Sequence, residues 1–192
     1  VIGSVPGVRY RRWMSTTSLT ARCAAGLALA LAVSACAGTA ANSEPGLPGA
    51  GTADVHTDPT ADMAHLAAVR LAGRDGYDRL VLEFTDRVPG YTVGYRPLPA
   101  RQDASGFEIP LPDAGALLQL SMTPATAEGW AGGPQTYSGP SVLSADTASV
   151  TQAKGAGDFE AVLTWVVGVR TQQPFRVLVL DEPPRLVVDI AH

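Results

Sequence analysis

The side chains that could act as nucleophiles, general bases or metal ligands are few in this chain of 192 residues. It contains three histidines, His56, His65 and His192, and two cysteines, Cys23 and Cys36. Hydrolysis by a serine–histidine–aspartate triad requires a histidine that a carboxylate holds in place. None of the histidines is predicted to lie inside a rigid element, and the sequence has no Gly-x-Ser-x-Gly elbow. Solvated histidines are therefore the favoured interpretation.

The acidic residues do not complete a catalytic pair either. Asp75, Asp78 and Asp86 could serve as acids in glycoside hydrolysis, but all three lie beside predicted turns, where aspartate is common for conformational reasons. A metal site built on His56 and His65 would need a helix or hairpin to hold both ligands, and the sequence predicts neither. We predict no catalytic residue, no metal site and no cofactor, and an envelope hydrolase is the least favoured function.

The two cysteines belong to an N-terminal pattern instead. A basic stretch precedes an apolar run at residues 24–32, which is followed by Val33, Ser34, Ala35 and Cys36. The basic residues are Arg9, Arg11, Arg12 and Arg22. These are the parts of a secretory signal, and a cysteine directly after the small residues resembles the lipobox of bacterial lipoproteins. The resemblance implies cleavage before Cys36 and lipid attachment to its side chain.

Two other interpretations of this segment remain open, an uncleaved anchor and an ordinary secretory signal with an incidental cysteine. The apolar run is far shorter than the roughly 20 residues that a membrane-spanning helix needs. We expect a signal peptide at residues 1–35, with translation starting at Met14. The expected location is the extracytoplasmic face of the cell membrane, and the expected membrane contact is the lipid on Cys36.

The chain without its predicted signal peptide is acidic. Residues 1–35 hold four of the 14 basic residues and none of the 18 acidic ones, which leaves a net charge of −8. Lys154 is the only lysine. Nucleic-acid binding requires clustered lysine and arginine, so we exclude nucleic acid as a partner. With Cys23 removed and Cys36 lipidated, no disulfide is available and the fold must depend on its core.

Composition divides the rest of the chain into two parts. Residues 36–63 are rich in small residues, proline and glycine, which cannot offset the entropy lost on ordering, so we predict a lipidated cysteine followed by a disordered tether. Residues 64–192 are predicted to form one folded domain, because apolar residues there recur with a period of two.

The period-two pattern predicts strands throughout residues 64–192. Leu80, Leu82 and Phe84 alternate with polar residues and define one buried face. Further strands are predicted around Val69 and Leu71 and at residues 91–95, 107–109, 116–122, 159–169, 175–180 and 185–190. The predicted core comprises Leu80, Leu82, Phe84, Leu163, Trp165, Val167, Leu178, Leu186, Val188 and Ile190. Short strands without helical periodicity predict an all-β fold, a single β-sandwich of antiparallel strands.

Three blocks of this domain carry a resemblance to a known family. Residues 69–84 resemble the opening of AMIN-type domains, and residues 183–190 resemble their terminal strand. Residues 157–177 resemble the AMIN-like domain of exported lipoproteins of the high-GC Gram-positive type. The resemblance implies a non-catalytic β-sandwich that contacts peptidoglycan or another component of the cell envelope, including envelope proteins.

Aromatic residues provide the candidate binding positions. Trp130 and Tyr137 lie in residues 123–145, the longest stretch without periodicity, and could stack on sugar rings or pack against a partner. The alternative is that both rings close one end of the sandwich. Tyr91, Tyr95 and Arg96 form a second candidate cluster.

Four arginines are predicted to point outward from the strands. They are Arg79, Arg170, Arg176 and Arg185. Salt bridges to Glu83, Glu160 and Asp189 are the favoured interpretation, and contact with an acidic wall polymer is the alternative. A second function class, a carrier of a small or apolar ligand, would require a hollow between the sheets.

Overall fold

The computed structural model describes residues 47–129 and 135–192. Cys36 and the rest of the predicted signal segment lie outside the described residues, as does Trp130. None of the described residues belongs to a helix long and apolar enough to cross a membrane.

Eleven strands make up the described part of the chain. They are β1 (Val55–His56), β2 (Ala64–Arg74), β3 (Tyr77–Phe84), β4 (Gly90–Arg96), β5 (Ala116–Thr123), β6 (Ala125–Thr126), β7 (Val142–Leu143), β8 (Val150–Phe159), β9 (Val162–Val169), β10 (Phe175–Asp181) and β11 (Pro184–Ala191). One sheet has the order β10-β11-β3-β2-β6, and the other has the order β1-β4-β5-β9-β8-β7. We call them the five-stranded and six-stranded sheets. All pairings are antiparallel except the two-residue pairing of β2 with β6. The all-β sandwich is confirmed.

The core lies between the two sheets, where alternate side chains of each long strand point inward. Trp165 on β9 is 2% exposed and packs within this core. The confirmed members of the predicted core are Leu80, Leu82, Phe84, Leu163, Trp165, Val167, Leu186, Val188 and Ile190. The prediction is wrong for Leu178, which pairs with Val187 on the outer face, while the neighbouring Val177 packs against the core.

The long strand predicted at residues 159–169 is two strands joined by a tight turn. β8 ends at Phe159, Glu160 and Ala161 form the turn, and β9 begins at Val162. Both turn residues have positive φ, 49° and 63°, although two-residue hairpin turns usually place Asn-Gly there. Because neither residue is glycine, asparagine or proline, the alternation ran through the turn without a visible break.

The predicted strand at residues 107–109 is instead part of a loop, residues 97–115, that covers half of the outer face of the six-stranded sheet. Ala100, Ile109 and Leu111 of this cover loop pack against Leu117 and Val166 as a second small core. A single bridge between Arg101 and Glu108 is the extent of strand-like pairing there. Two apolar residues, Phe107 and Ile109, on either side of Glu108 were too short a pattern to distinguish a strand from a loop segment that packs on the sheet.

Part of the segment predicted as a tether lies on the sandwich. Val55 and His56 form β1 and pair with Val93 and Thr92 on β4. Gly51 also exchanges two backbone hydrogen bonds with Phe175, at 2.9 and 2.8 Å. Backbone pairing to an existing edge needs few apolar side chains, which is why composition alone did not reveal this contact.

Candidate functional site

A row of hydroxyl side chains crosses three neighbouring strands on the outer face of the six-stranded sheet. Ser121 on β5 pairs in register with Thr92 on β4 and with Thr164 on β9. The flanking residues Leu120 and Met122 point into the core, so the side chain of Ser121 points outward. Paired residues on adjacent strands lie about 4.5–5.5 Å apart, so the three side chains form one line across the sheet. Thr164, at the β9 end of this line, is 2% exposed.

Two depressions meet at Ser121 and together form what we call the outer groove. The first has a volume of about 260 Å³ and is lined by Asp103, Gln119, Ser121, Phe159, Glu160, Val162 and Thr164. The second has a volume of about 120 Å³ and is lined by Thr57, Pro59, Gly90, Tyr91, Thr92, Ser121 and Thr123. The floor of the groove is therefore built from hydroxyl and amide side chains.

One wall of the outer groove carries an exposed aromatic ring and two carboxylates. Phe159, the last residue of β8, is 52% exposed. Glu160 follows it in the tight turn with its backbone in the left-handed region, a conformation that costs a non-glycine residue about 1–2 kcal/mol. Such backbone strain is found preferentially at functional sites.

The cover loop supplies the third residue of this wall. The Asp103 N–H donates a hydrogen bond to the carbonyl of Ala156 at 3.0 Å, which fastens the loop to β8. Gly157 makes this contact possible, because a Cβ there would lie 2.4 Å from the Cβ of Asp103. The cover loop therefore both shields one half of the sheet and shapes the edge of the uncovered half.

The chemistry of the outer groove suits a neutral ligand with many hydroxyl groups. Thr92, Ser121 and Gln119 can each donate and accept hydrogen bonds, and the exposed face of Phe159 can pack against an apolar ring face. The lining residues include no lysine or arginine, so the groove has no partner for an anionic polymer.

The second candidate cluster of the sequence analysis is held by contacts within the fold. Tyr91 is 8% exposed and belongs to the core. The Tyr95 ring packs edge-on against Phe175, and its hydroxyl donates to the carbonyl of Gln173 at 2.7 Å. Burial raises the pKa of both phenols. Arg96 forms an ion pair with Asp54 at 2.9 Å, and this hydrogen bond lowers the pKa of the Asp54 carboxyl.

Tyr137, from the aperiodic stretch, packs against the core rather than standing free. Its ring meets Trp165 edge-on with centroids 5.9 Å apart, and its hydroxyl donates to the carbonyl of Pro140 at 2.7 Å. Burial raises the pKa of this phenol as well. Trp130, the other aromatic residue predicted in this stretch, lies outside the described residues.

The outward arginines of the five-stranded sheet surround a buried carboxylate. Asp189 on β11 is 0% exposed and accepts hydrogen bonds from Arg79 at 2.6 Å and from Arg176 at 3.0 Å. Burial raises the pKa of Asp189, but the two guanidinium groups outweigh it and leave the pKa below its usual value. The predicted pairing is confirmed for Arg79 and Arg176, whereas Arg170 and Arg185 bond to backbone carbonyls.

The histidines and turn carboxylates have structural contacts. His65 lies in β2, against the prediction that no histidine belongs to a rigid element, and its Nδ1 is 3.2 Å from Asp86 Oδ2. Asp78 is 0% exposed and accepts hydrogen bonds from the backbone N–H groups of Ser149 and Val150 at 2.7 and 2.8 Å. Within residues 47–129 and 135–192, no three acidic, histidine or cysteine side chains converge as metal ligands would.

Sequence reasoning missed the outer groove because its residues are ordinary polar members of separate strands. Thr92, Ser121 and Thr164 each occupy the outward position of an alternating pattern, where threonine and serine are common. The only local signal was the pair Phe159 and Glu160, which the alternation placed inside a continuous strand.

Comparison with protein families identifies this architecture. The family model described as the AMIN-like domain matches residues 64–192. Comparison with curated proteins and with solved structures found no significant match. The match spans more than half of the chain and includes every strand from β2 to β11. The chain therefore belongs to the AMIN-like domain family.

Proposed function

We propose that this chain is a lipid-anchored module on the extracytoplasmic face of the cell membrane that binds peptidoglycan through the outer groove. AMIN-like domains are binding modules associated with cell-envelope components such as peptidoglycan. The observation that carries the assignment to this groove is the registered row of Thr92, Ser121 and Thr164 beside the exposed ring of Phe159.

The glycan strand is the part of peptidoglycan that fits the groove best. Successive hydroxyls along the row are one strand spacing apart, about 4.8 Å, which is comparable to the length of one sugar ring. An extended chain of sugars lying across β4 and β5 meets Thr92 and Ser121 in turn, and Thr164, 2% exposed, lies at the bottom of the groove on β9. Asp103 and Glu160 accept hydrogen bonds from sugar hydroxyls or from amide groups at the wall.

A ligand carrier is less well supported, because no described residue of the cluster between the sheets provides a polar lining for a ligand. The side chains of this cluster, such as Leu82, Leu120 and Trp165, are apolar and buried. The described residues that face each other there form one continuous cluster of buried apolar side chains. The outer groove, in contrast, opens on the far side of the six-stranded sheet from this core.

Phe159→Ala is expected to weaken binding to purified sacculi by about 1–2 kcal/mol, a loss of roughly tenfold, because an exposed ring that contacts a ligand acts as a binding hot spot. Co-sedimentation of the full chain with sacculi measures this loss. The free energy of unfolding should change by no more than about 0.5 kcal/mol, because the side chain is half exposed.

Phe107→Ala is the matched control, since Phe107 is 74% exposed on the cover loop and does not line the groove. Its binding should equal that of the parent chain. Soluble glycan strands stripped of their peptides should compete with sacculi. Binding that is unaffected by Phe159→Ala would contradict the groove, and an absence of sacculus binding by the parent chain would contradict the function.

Lipid attachment at Cys36 is tested separately. Mass spectrometry of the membrane fraction should find a mature N-terminus at a lipidated Cys36, and Cys36→Ala should abolish both cleavage and modification. The physical reason is that the thiol is the acceptor for the lipid, which alanine lacks. An intact, unmodified Cys36 in membranes would contradict the proposal and favour an uncleaved anchor.

A further inference from the structure

The four edges of the two sheets differ in length. Three of them end in strands of two residues, β1, β6 and β7. Very short edge strands are one of the ways in which natural sheets avoid pairing with another chain. The fourth edge is β10, which has seven residues. β6 pairs with β2 only at Ala64 and His65, so the rest of β2 also lacks an outer strand among the described residues, but Arg70 lies within that stretch and a charged side chain protects an edge. β10 is the one terminal strand of the described sheets that is longer than two residues.

The backbone pairing of Phe175 shows which groups of β10 point away from the sheet. Phe175 exchanges both of its backbone hydrogen bonds with Gly51, so its N–H and C=O face away from β11. By the alternation of antiparallel ladders, the groups of Val177, Val179 and Asp181 face the same way. Pro184, the partner of Asp181 on β11, has no N–H to donate. This agrees with the backbone groups of Asp181 pointing away from β11.

Residues 47–50, which precede Gly51, turn away from this edge. The N–H of Ala50 donates to the carbonyl of Leu47 in a turn, and Arg176 Nη1 donates to the carbonyl of Pro48 at 3.3 Å. Residues 47–50 therefore turn onto the outer face of the sheet. The backbone groups of Val177, Val179 and Asp181 have no partner strand among the residues that the structure describes.

The same edge exposes apolar side chains. Val179 is 45% exposed and Leu180 is 41% exposed, and they are adjacent on β10. The strand interior, residues 177–180, contains no charged residue or proline of the kind that protects edge strands. An unpaired backbone and an exposed apolar surface together favour addition of another strand.

We propose that β10 pairs with β10 of a second copy of this chain across a twofold axis, which joins the two five-stranded sheets into one continuous sheet. The register that uses all the free backbone groups places Val179 opposite Val179 of the second copy. Val177 then pairs with Asp181 of the second copy, and Gly51 keeps its place beside Phe175.

The outward-facing side chains of β10 complement one another in this register. On the outer face, Leu178 lies opposite Leu180 of the second copy, which covers an exposed leucine with an apolar partner. One step further along, Arg176 lies opposite Glu182 of the second copy, a pair of opposite charge. Shifting the register to centre on Leu178 would instead require Phe175, whose backbone is already bonded to Gly51.

Cross-linking tests the register directly. The full chain with Cys23→Ser and Cys36→Ser contains no other cysteine. A hydrogen-bonded antiparallel pair has Cα atoms about 5.5 Å apart, which is within disulfide range. Adding Val179→Cys should therefore give a covalent dimer on mild oxidation, whereas Phe107→Cys, a more exposed position, should not. Equal cross-linking of the two variants would overturn the proposal.

Sedimentation of the same cysteine-free chain gives an independent measure. Val179→Lys should weaken dimerisation by about tenfold or more, because a charged side chain blocks an edge strand. Val142→Lys is the matched control, since Val142 is also 45% exposed but lies on the two-residue strand β7. A monomeric parent chain, or a dimer unaffected by Val179→Lys, would overturn the proposal. Neither experiment uses a wall ligand, so the outcome is independent of peptidoglycan binding.

Discussion

Trp165→Ala is expected to lower the free energy of unfolding by roughly 3–5 kcal/mol, the range observed for deletion of large aromatic side chains from protein cores. The indole is 2% exposed on the central strand β9, and the ring of Tyr137 packs against it. Its removal leaves a cavity that β5 and β8, paired on either side of β9, cannot close. Urea denaturation followed by circular dichroism measures the change.

The effect of Trp165→Ala on folding depends on the total free energy of unfolding of the domain. Domains of this size are stable by about 5–15 kcal/mol, so the variant is expected to be partly unfolded at elevated temperature. Phe107→Ala is the control for the loss of an aromatic ring, because an exposed side chain contributes little, within about 0.5 kcal/mol. An unchanged unfolding midpoint for Trp165→Ala would mean that the core assignment of β9 is wrong.

Asp189→Asn is expected to cost about 3 kcal/mol, the lower end of the range for breaking a buried ion pair. The carboxylate is completely buried, and its single charge is shared by two guanidinium groups, those of Arg79 and Arg176. Both guanidinium groups also lie over the ring of Tyr77, at 5.1 and 5.8 Å from its centroid. The lower end applies because the arginine side chains are about a quarter exposed, so water partly solvates them.

The cost of Asp189→Asn should depend on pH with a definite sign. The pKa of Asp189 in the folded protein lies below its ordinary value of about 3.9. The stabilisation is therefore fully present above about pH 4 and is lost as the pH falls through the folded pKa. The difference in unfolding free energy between parent and variant should shrink in that acidic range. A difference independent of pH would show that lost packing, not lost charge, explains the effect.

Glu83→Gln is the matched control on the same face of the same sheet. Glu83 pairs with Arg70 at 2.9 Å, but Arg70 is 57% exposed. Exposed pairs contribute about 0–1 kcal/mol because water screens them. A cost for Glu83→Gln equal to that for Asp189→Asn would contradict the special role assigned to burial.

The strands that sequence analysis placed correctly share one property, a complete alternation bounded by visible turn residues. The stretch from Tyr77 to Phe84 alternates without interruption between Gly76 and the β3–β4 connection, and its buried apolar residues, Leu80, Leu82 and Phe84, were all predicted. Asp78, which is also buried there, was predicted only as a carboxylate beside a turn. The hairpin at Glu160 and Ala161 was missed because its turn contains no residue that marks a turn. β8 was missed with it, since glycine and alanine occupy much of that strand.

The binding surface was harder to predict than the fold, and the aromatic residues show why. Tyr91, Tyr95 and Tyr137 were chosen by residue type, and the structure places all three rings against the core. Phe159 was predicted as the first apolar residue of a strand, and it is 52% exposed at the wall of the outer groove. A residue type specifies what a side chain can contact, but its exposure depends on elements distant in sequence.

The sequence by itself determined the alternation of buried and exposed residues along most strands, and with it the all-β fold, because that period is a local property of each strand. Only the tertiary structure decided that Thr92, Ser121 and Thr164 share one line and that β10 has no outer strand beside it among the described residues. The physical reason is that strand order and register are set by contacts between segments far apart in the chain. A shift of one residue in the pairing of β4 with β5, or of β5 with β9, would turn the side chain of Thr92 or of Thr164 to the opposite face of the sheet.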